Sequence, residues 1–196
     1  MKRRGLLLFL GALIVVVLIF FFATYNSLVT KEEKVKQHWG DLNTTYQRRT
    51  DLIPGLVAVV KGASEYEKTV LEQTATARAK ASQVVYSGNV TAQDYQQLEQ
   101  TQGEVANSVS RTLAVIENYP DLKATKNFLY LQSQLEGTER RIKTARKDFN
   151  GSVAAYNNAV RRFPNNIAAG ILGFRQKEGF SADAGADNAP EVIFKK

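Results

Sequence analysis

The stretch that decides the fold runs from Phe128 to Phe163: FLYLQSQLEGTERRIKTARKDFNGSVAAYNNAVRRF. Every seventh residue is large and apolar, giving Phe128, Leu135, Ile142, Phe149, Tyr156 and Phe163. Three residues after each of the first five comes a second, mostly small series: Leu131, Thr138, Ala145, Ser152 and Ala159. A seven-residue apolar repeat is the signature of a long helix with one buried seam, as in coiled coils. At 1.5 Å per residue that helix is roughly 54 Å long. An apolar seam of that length must be covered by other helices of the same chain.

The seam continues upstream. Leu28, Val35, Leu42, Leu56, Ala63, Val70 and Ala77 keep a heptad frame, with Trp39, Tyr46, Ile53 and Val60 as the companion series. Arg49 falls in that frame where an apolar residue is expected, and Pro54 comes shortly after. The pattern predicts a break near Thr50, with Asp51 as N-cap and Pro54 in a first turn where its missing N–H does no harm. That gives one helix over residues 25–49 and another over 52–86; a proline kink in a single helix is the alternative. Ser87-Gly88-Asn89 reads as a turn, and Thr91 with Asp94 as a capping box with Asp in place of Glu. A third helix then carries Tyr95, Leu98, Val105, Val109, Leu113 and Ile116 inward to about Asn118. Tyr119-Pro120-Asp121-Leu122 ends it, with Asp121 able to cap the last long helix.

The N-terminal flank has a different character. From Leu6 to Phe22 the chain is apolar and uncharged, long enough as a helix to reach about 28 Å. Phe20, Phe21, Phe22 and Tyr25 suit an interfacial aromatic belt. The run is long for a signal-peptide core and ends without the small residues of a cleavage site, so an uncleaved anchor is expected. Lys2, Arg3 and Arg4 before it place the N-terminus in the cytoplasm and the body outside, by the positive-inside rule. The expected division is an anchor over residues 1–24, a helical body over 25–177, and a mobile tail over 178–196. Within the body, the apolar residues 167–174 are too few to span a bilayer and are expected to pack on its end.

Composition excludes much chemistry. There are no cysteines and one histidine, His38, among 196 residues. Disulfides and zinc sites of ordinary composition are therefore out of reach. Inward carboxylates in bundles can hold two metals, but that requires Glu-x-x-His on two helices. No Gly-x-Ser-x-Gly elbow or phosphate-cradling glycine loop occurs. The formal charge of +7 falls to +4 without the three N-terminal cations. Lys143, Arg140, Arg141, Lys147, Arg161 and Arg162 are interleaved with Glu136, Glu139 and Asp148, so no nucleic acid is expected. Arg49, Asp51, Glu139, Arg146 and Asn150 are expected to form a structural polar layer that fixes helix register. No catalytic residue, metal or cofactor is expected.

These stretches carry a family likeness. YNSLV from Tyr25, RRTDLIPGLVAVVKG from Arg48, ENYPDLKA from Glu117, NFLYLQSQLEGTERRIKTARKDFN from Asn127 and AYNNAVRRFPNNIAAGILGF from Ala155 resemble the LemA family of bacterial membrane proteins. Gly55 stands where Asn is usual, and Ala63 and Tyr66 replace an aromatic residue and a histidine. The resemblance implies an N-terminal membrane helix and an antiparallel up-and-down four-helix bundle, in agreement with the all-α reading above, and implies no established activity. The functional expectation is a non-enzymatic, membrane-anchored interaction or scaffold protein that binds protein partners or itself. Binding of anionic lipid or another polyanion through basic faces is the alternative, and a hydrolase built on Glu139 and Asp51 is the remaining one.

Overall fold

The computed structural model describes residues 2–61, 68–83 and 91–180. It is all-helical, with no strand among the described residues. Helix α1 spans Lys2–Lys61, α2 Lys68–Gln83, α3 Ala92–Glu117, α4 Pro120–Lys123, α5 Lys126–Arg161 and α6 Asn165–Leu172.

Helix α1 does not break at Thr50, contrary to the local proline rule. It is a single helix of 60 residues with Pro54 inside it. Asp51 is consequently an exposed mid-helix residue and not an N-cap. The reason lies in tertiary packing. Tyr46, Ile53, Leu56 and Val60 are at most 4% exposed on one face, and that face packs along α5. Breaking the helix would turn three of those side chains away from α5. Keeping it leaves one backbone carbonyl, that of Thr50, without its N–H partner at Pro54. The lengths agree as well: residues 24–61 and the 36 residues of α5 are each roughly 55 Å as helices. Gly55 lies tight against α5, since a Cβ there would stand 3.0 Å from Leu131 Cδ2.

Pro54 is itself exposed, so its ring contributes little to the core. Pro54→Ala is expected to restore the hydrogen bond to the Thr50 carbonyl and stabilise the chain by about 1 kcal/mol. A rise of about 2–4 °C in Tm would register it. An unchanged or lower Tm would mean that the proline's stiffening of the unfolded chain outweighs the lost bond.

The buried face of α5 holds Phe128, Leu135, Thr138, Ile142, Phe149, Ser152, Val153, Tyr156 and Val160. The heptad stops one repeat earlier than expected, because α5 ends at Arg161 and Phe163 is 75% exposed beyond it. Helix α3 begins with the expected capping box: Asp94 N–H donates to Thr91 Oγ1 at 3.3 Å, and Thr91 N–H donates to Asp94 Oδ2 at 2.7 Å. The Thr91 N–H, with the Thr91 hydroxyl that also donates to Asp94 Oδ2, favours the ionised carboxylate and lowers its pKa. Asp121 does not cap the last long helix. Residues 120–123 make a short turn, and Thr125 is the N-cap of α5, accepting from Phe128 N–H at 3.3 Å.

Contacts fix the directions of neighbouring helices. Trp39–Phe149, Arg49–Glu139 and Gly55–Leu131 contacts show α1 antiparallel to α5. Thr74–Thr112 and Lys80–Glu104 show α2 antiparallel to α3. Trp39–Tyr95 and Arg49–Gln102 put α3 alongside α1 in the same direction. Helix α6 turns back beside α1 and α5 and buries Ala168 and Ala169. Composition predicts a loose chain from residue 178, but the chain stays packed through Phe180, which is 8% exposed. Residues 181–196, with Val192, Ile193 and Phe194, lie outside the described residues, as do Ala63 and the turn at Ser87.

Candidate functional site

The buried apolar residues separate into two clusters. One gathers Leu28, Val35, Trp39, Leu42, Tyr46, Tyr95, Leu98, Ile142, Phe149 and Tyr156, with Phe180. The other gathers Ile53, Leu56, Val60, Val105, Val109, Ile116, Phe128 and Leu135. Between them lies a polar level. Arg49 sits between Tyr46 and Ile53 on α1, Gln102 between Leu98 and Val105 on α3, and Thr138 with Glu139 between Leu135 and Ile142 on α5.

Arg49 is the centre of that level and is 3% exposed. Its Nη2 donates to the Gln102 carbonyl at 2.7 Å and to Gln102 Oε1 at 2.6 Å. Its Nη1 donates to Glu139 Oε1 at 3.0 Å. The guanidinium carbon lies 5.4 Å from the centroid of the Tyr46 ring, a cation–π geometry. Nε meets no acceptor among the described residues. A second pair lies one heptad further along α5: Arg146 Nη2 donates to Glu99 Oε1 at 2.6 Å. Burial raises the Tyr46 pKa, and the cations of Arg146 and Arg49 offset part of that rise.

The five expected residues are thus placed differently from one another. Arg49 and Glu139 meet directly. Arg146 joins the same side of the core through Glu99, a partner that the sequence did not single out. Asp51 points away from them, because two residues along a helix is a turn of about 200°. Asn150 contributes to no ion pair; its side chain holds the backbone of Phe180. Gln102 also belongs to the level, and it interrupts the apolar frame of α3 just as Arg49 interrupts that of α1. Glu139 is half-exposed and engaged by Arg49, and Asp51 faces the other way, so the two carboxylates cannot work as an acid–base pair.

An aromatic cluster lies next to this level. Trp39, Tyr95, Phe149 and Phe180 pack with ring centroids 4.9–6.1 Å apart. Burial pushes the Tyr95 phenol up to about 12, with Asp94 and Glu178 adding to the shift. Burial likewise pushes Tyr156 to about 12, with Glu32 adding. A tyrosine freed by unfolding ionises near pH 10. Stability from these groups is therefore whole below about pH 10 and is lost as the pH rises toward 12. The chain is expected to show a Tm that falls across that window. Tyr95→Phe together with Tyr156→Phe should flatten the fall; an equally steep fall in the double variant would refute the assignment.

The first part of α1 is bare. Leu6 to Ile19 are exposed on every side, with Leu8 at 76% and Phe9 at 66%. Burial begins only at Thr24 and Leu28. The helix contains one stretch long and apolar enough to cross a membrane, with mean hydropathy 3.3. At its exit lies a second exposed apolar group on and around α6: Phe163 at 75%, Ile167 at 54%, Ile171 at 70% and Leu172 at 38%. Phe174 packs on Tyr25 at 5.9 Å, joining this group to the foot of the apolar stretch.

Relatives of the chain include the magnetosome protein MamQ of Magnetospirillum gryphiswaldense, 25% identical over 94% of this chain and 76% of the relative. They also include magnetosome proteins MamQ 1 and MamQ 2 of Paramagnetospirillum magneticum, each 25% identical over 83% of this chain and 66% of the relative. The sequence model described as the LemA family matches residues 38–194, a span that begins inside α1 and takes in the polar level, the aromatic cluster and all of α2 to α6. By that match this chain belongs to the LemA family.

Proposed function

We propose that the chain is a non-enzymatic interaction module hung from the bacterial cytoplasmic membrane by a single pass, with its N-terminus in the cytoplasm. In this reading α1, α2, α3 and α5 form an up-and-down four-helix bundle, and the level around Arg49 fixes its register. One observation carries the proposal. The same unbroken helix is bare and apolar over residues 5–19 and buried from Leu28 to Val60. A helix surface without charge over that length belongs in hydrocarbon, where its backbone is satisfied internally. Continuity matters mechanically, because a helix without a hinge holds the body at a fixed angle to the bilayer. Relatives named for a cellular structure and not for a reaction support an architectural role.

The experiment is fractionation and then protease access. The chain is expected to remain in the membrane pellet after alkaline carbonate washing, and its body to be cut in spheroplasts without permeabilisation. Release by carbonate would end the anchor reading, and protection until permeabilisation would reverse the orientation. Amine cross-linking in native membranes should give products larger than the monomer; monomer at every concentration would end the interaction reading.

The α6 surface favours one further component, contact with anionic lipid. Ile167 and Ile171 face outward while Ala168 and Ala169 pack inward. Arg161, Arg162 and Arg175 are exposed beside them. An apolar face flanked by cations suits the headgroup boundary. Asp in place of both Ile167 and Ile171 should increase solvent accessibility of α6 in vesicles without releasing the chain.

A further inference from the structure

After α6 the chain reverses at Gly173, whose φ of 80° is open to glycine at little cost. It then runs back along α5 without forming a helix. Two asparagines of α5 hold it. Asn157 Nδ2 donates to the Lys177 carbonyl at 2.7 Å, and Asn157 Oδ1 accepts from Lys177 N–H at 2.9 Å. Asn150 repeats the pattern at Phe180, donating from Nδ2 to the carbonyl and accepting from N–H, both at 2.9 Å. Each side-chain amide thus satisfies both backbone groups of one residue, as a neighbouring strand would. The spacing explains why the pattern can repeat. Seven helical residues rise about 10.5 Å, and three extended residues cover about 10 Å.

Side chains are read as well. Phe180 enters a pocket formed by Trp39, Tyr95 and Phe149, with its ring centroid 6.1, 5.8 and 5.5 Å from theirs. The Arg146 guanidinium lies 5.0 Å from the Phe180 ring centroid. Lys177 Nζ pairs with Glu32 Oε1 at 2.9 Å and lies 5.6 Å from the Tyr156 ring centroid. Gly179 is required for a different reason. A Cβ there would stand 2.8 Å from Asn150 Oδ1, the oxygen that accepts from Phe180 N–H. Backbone bonds that confer affinity and pockets that select alternate side chains are the two parts of extended-peptide recognition.

We propose that the face of α1, α3 and α5 around Asn150 and Asn157 is a binding groove for extended segments of the form Lys-x-Gly-Phe, filled in cis by residues 177–180, and that its second occupant is the same segment of another copy of this chain. The proposal deepens the interaction reading and rests on it. Residues 174–176, extended, bridge about 10 Å, roughly one helix diameter, so Lys177 can reach the groove of a copy packed directly against this face, where Glu32 offers the same opposite charge as in cis. A common bilayer would hold such neighbours in one plane at one height, so that each segment meets the other's groove.

The test uses the full-length chain in bilayer vesicles, with isotopically heavy and light preparations mixed and given time to exchange. Carbodiimide joins a lysine amine to a carboxylate in direct contact, here Lys177 to Glu32. Mass spectrometry is expected to find heavy–light Lys177–Glu32 products beside the pure ones, and a synthetic peptide of residues 174–181 should suppress them. The same peptide with Gly179 and Phe180 exchanged should be weaker by at least about tenfold. Asn157→Ala, which leaves the apolar core intact, and Gly179→Val should each reduce the product while the far-UV spectrum stays helical. Pure products alone, in a chain that amine cross-linking still shows as oligomer, would overturn the exchange and leave the interaction reading standing. Equal competition by both peptides would overturn the groove's selectivity. Monomer by every reagent would overturn both readings.

Discussion

Phe149→Ala is expected to lower the unfolding free energy of the helical body by about 3–5 kcal/mol. For a domain of this size the loss corresponds to a fall of about 10 °C in Tm. The side chain is fully buried and touches α1, α3 and the returning segment at once. Its ring lies 5.5 Å from each of Trp39, Tyr95 and Phe180, so truncation opens a space that no single neighbour can refill. The cost of a large-to-small change grows with the volume left empty. Phe128→Ala supplies a comparison in the other cluster, at 3% exposure but with no aromatic ring packed on it among the described residues. Aromatic pairs add about 0.5–1.5 kcal/mol beyond area, so Phe149→Ala should be the more damaging of the two. Thermal melts of both variants in the same detergent decide it. A smaller effect at Phe149 would mean that the segment through Phe180 collapses into the space.

The two clusters were unequally legible in the sequence. The stripe on α5 was plain because a repeat sustained over Phe128, Leu135, Ile142, Phe149 and Tyr156 leaves little alternative to a long buried helix face. The frames of α1 and α3 were visible for the same reason. What local reading missed were cases in which a distant partner overrides a local rule. Pro54 signals a break by its own chemistry, yet the seam against α5 keeps α1 whole. Phe163 continues the numerical repeat, yet the helix that would carry it has ended at Arg161. Phe180 sits in a Gly-, Ala- and Ser-rich stretch that reads as a loose tail, because nothing nearby in sequence can bury it. Its pocket comes from Trp39, Tyr95 and Phe149, and its backbone partner from Asn150. Asn150 stood out as a polar residue near the core, but its role depends on a segment thirty residues away. Gln102 could have been found: a glutamine four residues after Leu98 and three before Val105 falls where α3 should be apolar, at the level of Arg49.

Gln102→Leu alone is expected to cost about 2–3 kcal/mol, because it removes an acceptor from a buried guanidinium. Arg49→Met alone should cost about 1–3 kcal/mol, because it leaves Gln102 Oε1 buried without its donor. The two changes together should cost less than their sum. Both polar partners then give way to apolar groups of similar size, and a buried ionic cluster replaced as a unit is often neutral in stability. A coupling of about 2–3 kcal/mol in the double-mutant cycle is the expected result. Glu139→Gln belongs to a different class. Glu139 is half-exposed and water can replace its bond to Arg49, so its loss should stay within about 1 kcal/mol. The cycle also separates stability from register. If the polar level only adds stability, the Arg49→Met and Gln102→Leu double variant will melt as one cooperative unit with unchanged helix pairing. If it fixes register, as we propose, the double variant will keep its helicity while losing the uniform pairing that Cys pairs placed across α1 and α3 would report; the natural chain has no cysteine to interfere. A guanidinium between two apolar clusters tolerates no slip of α1 against α3, since a shift of one helical turn would set the charge beside Leu98 or Val105. Two apolar clusters joined without it have no such penalty, and that difference is what the cross-links would measure.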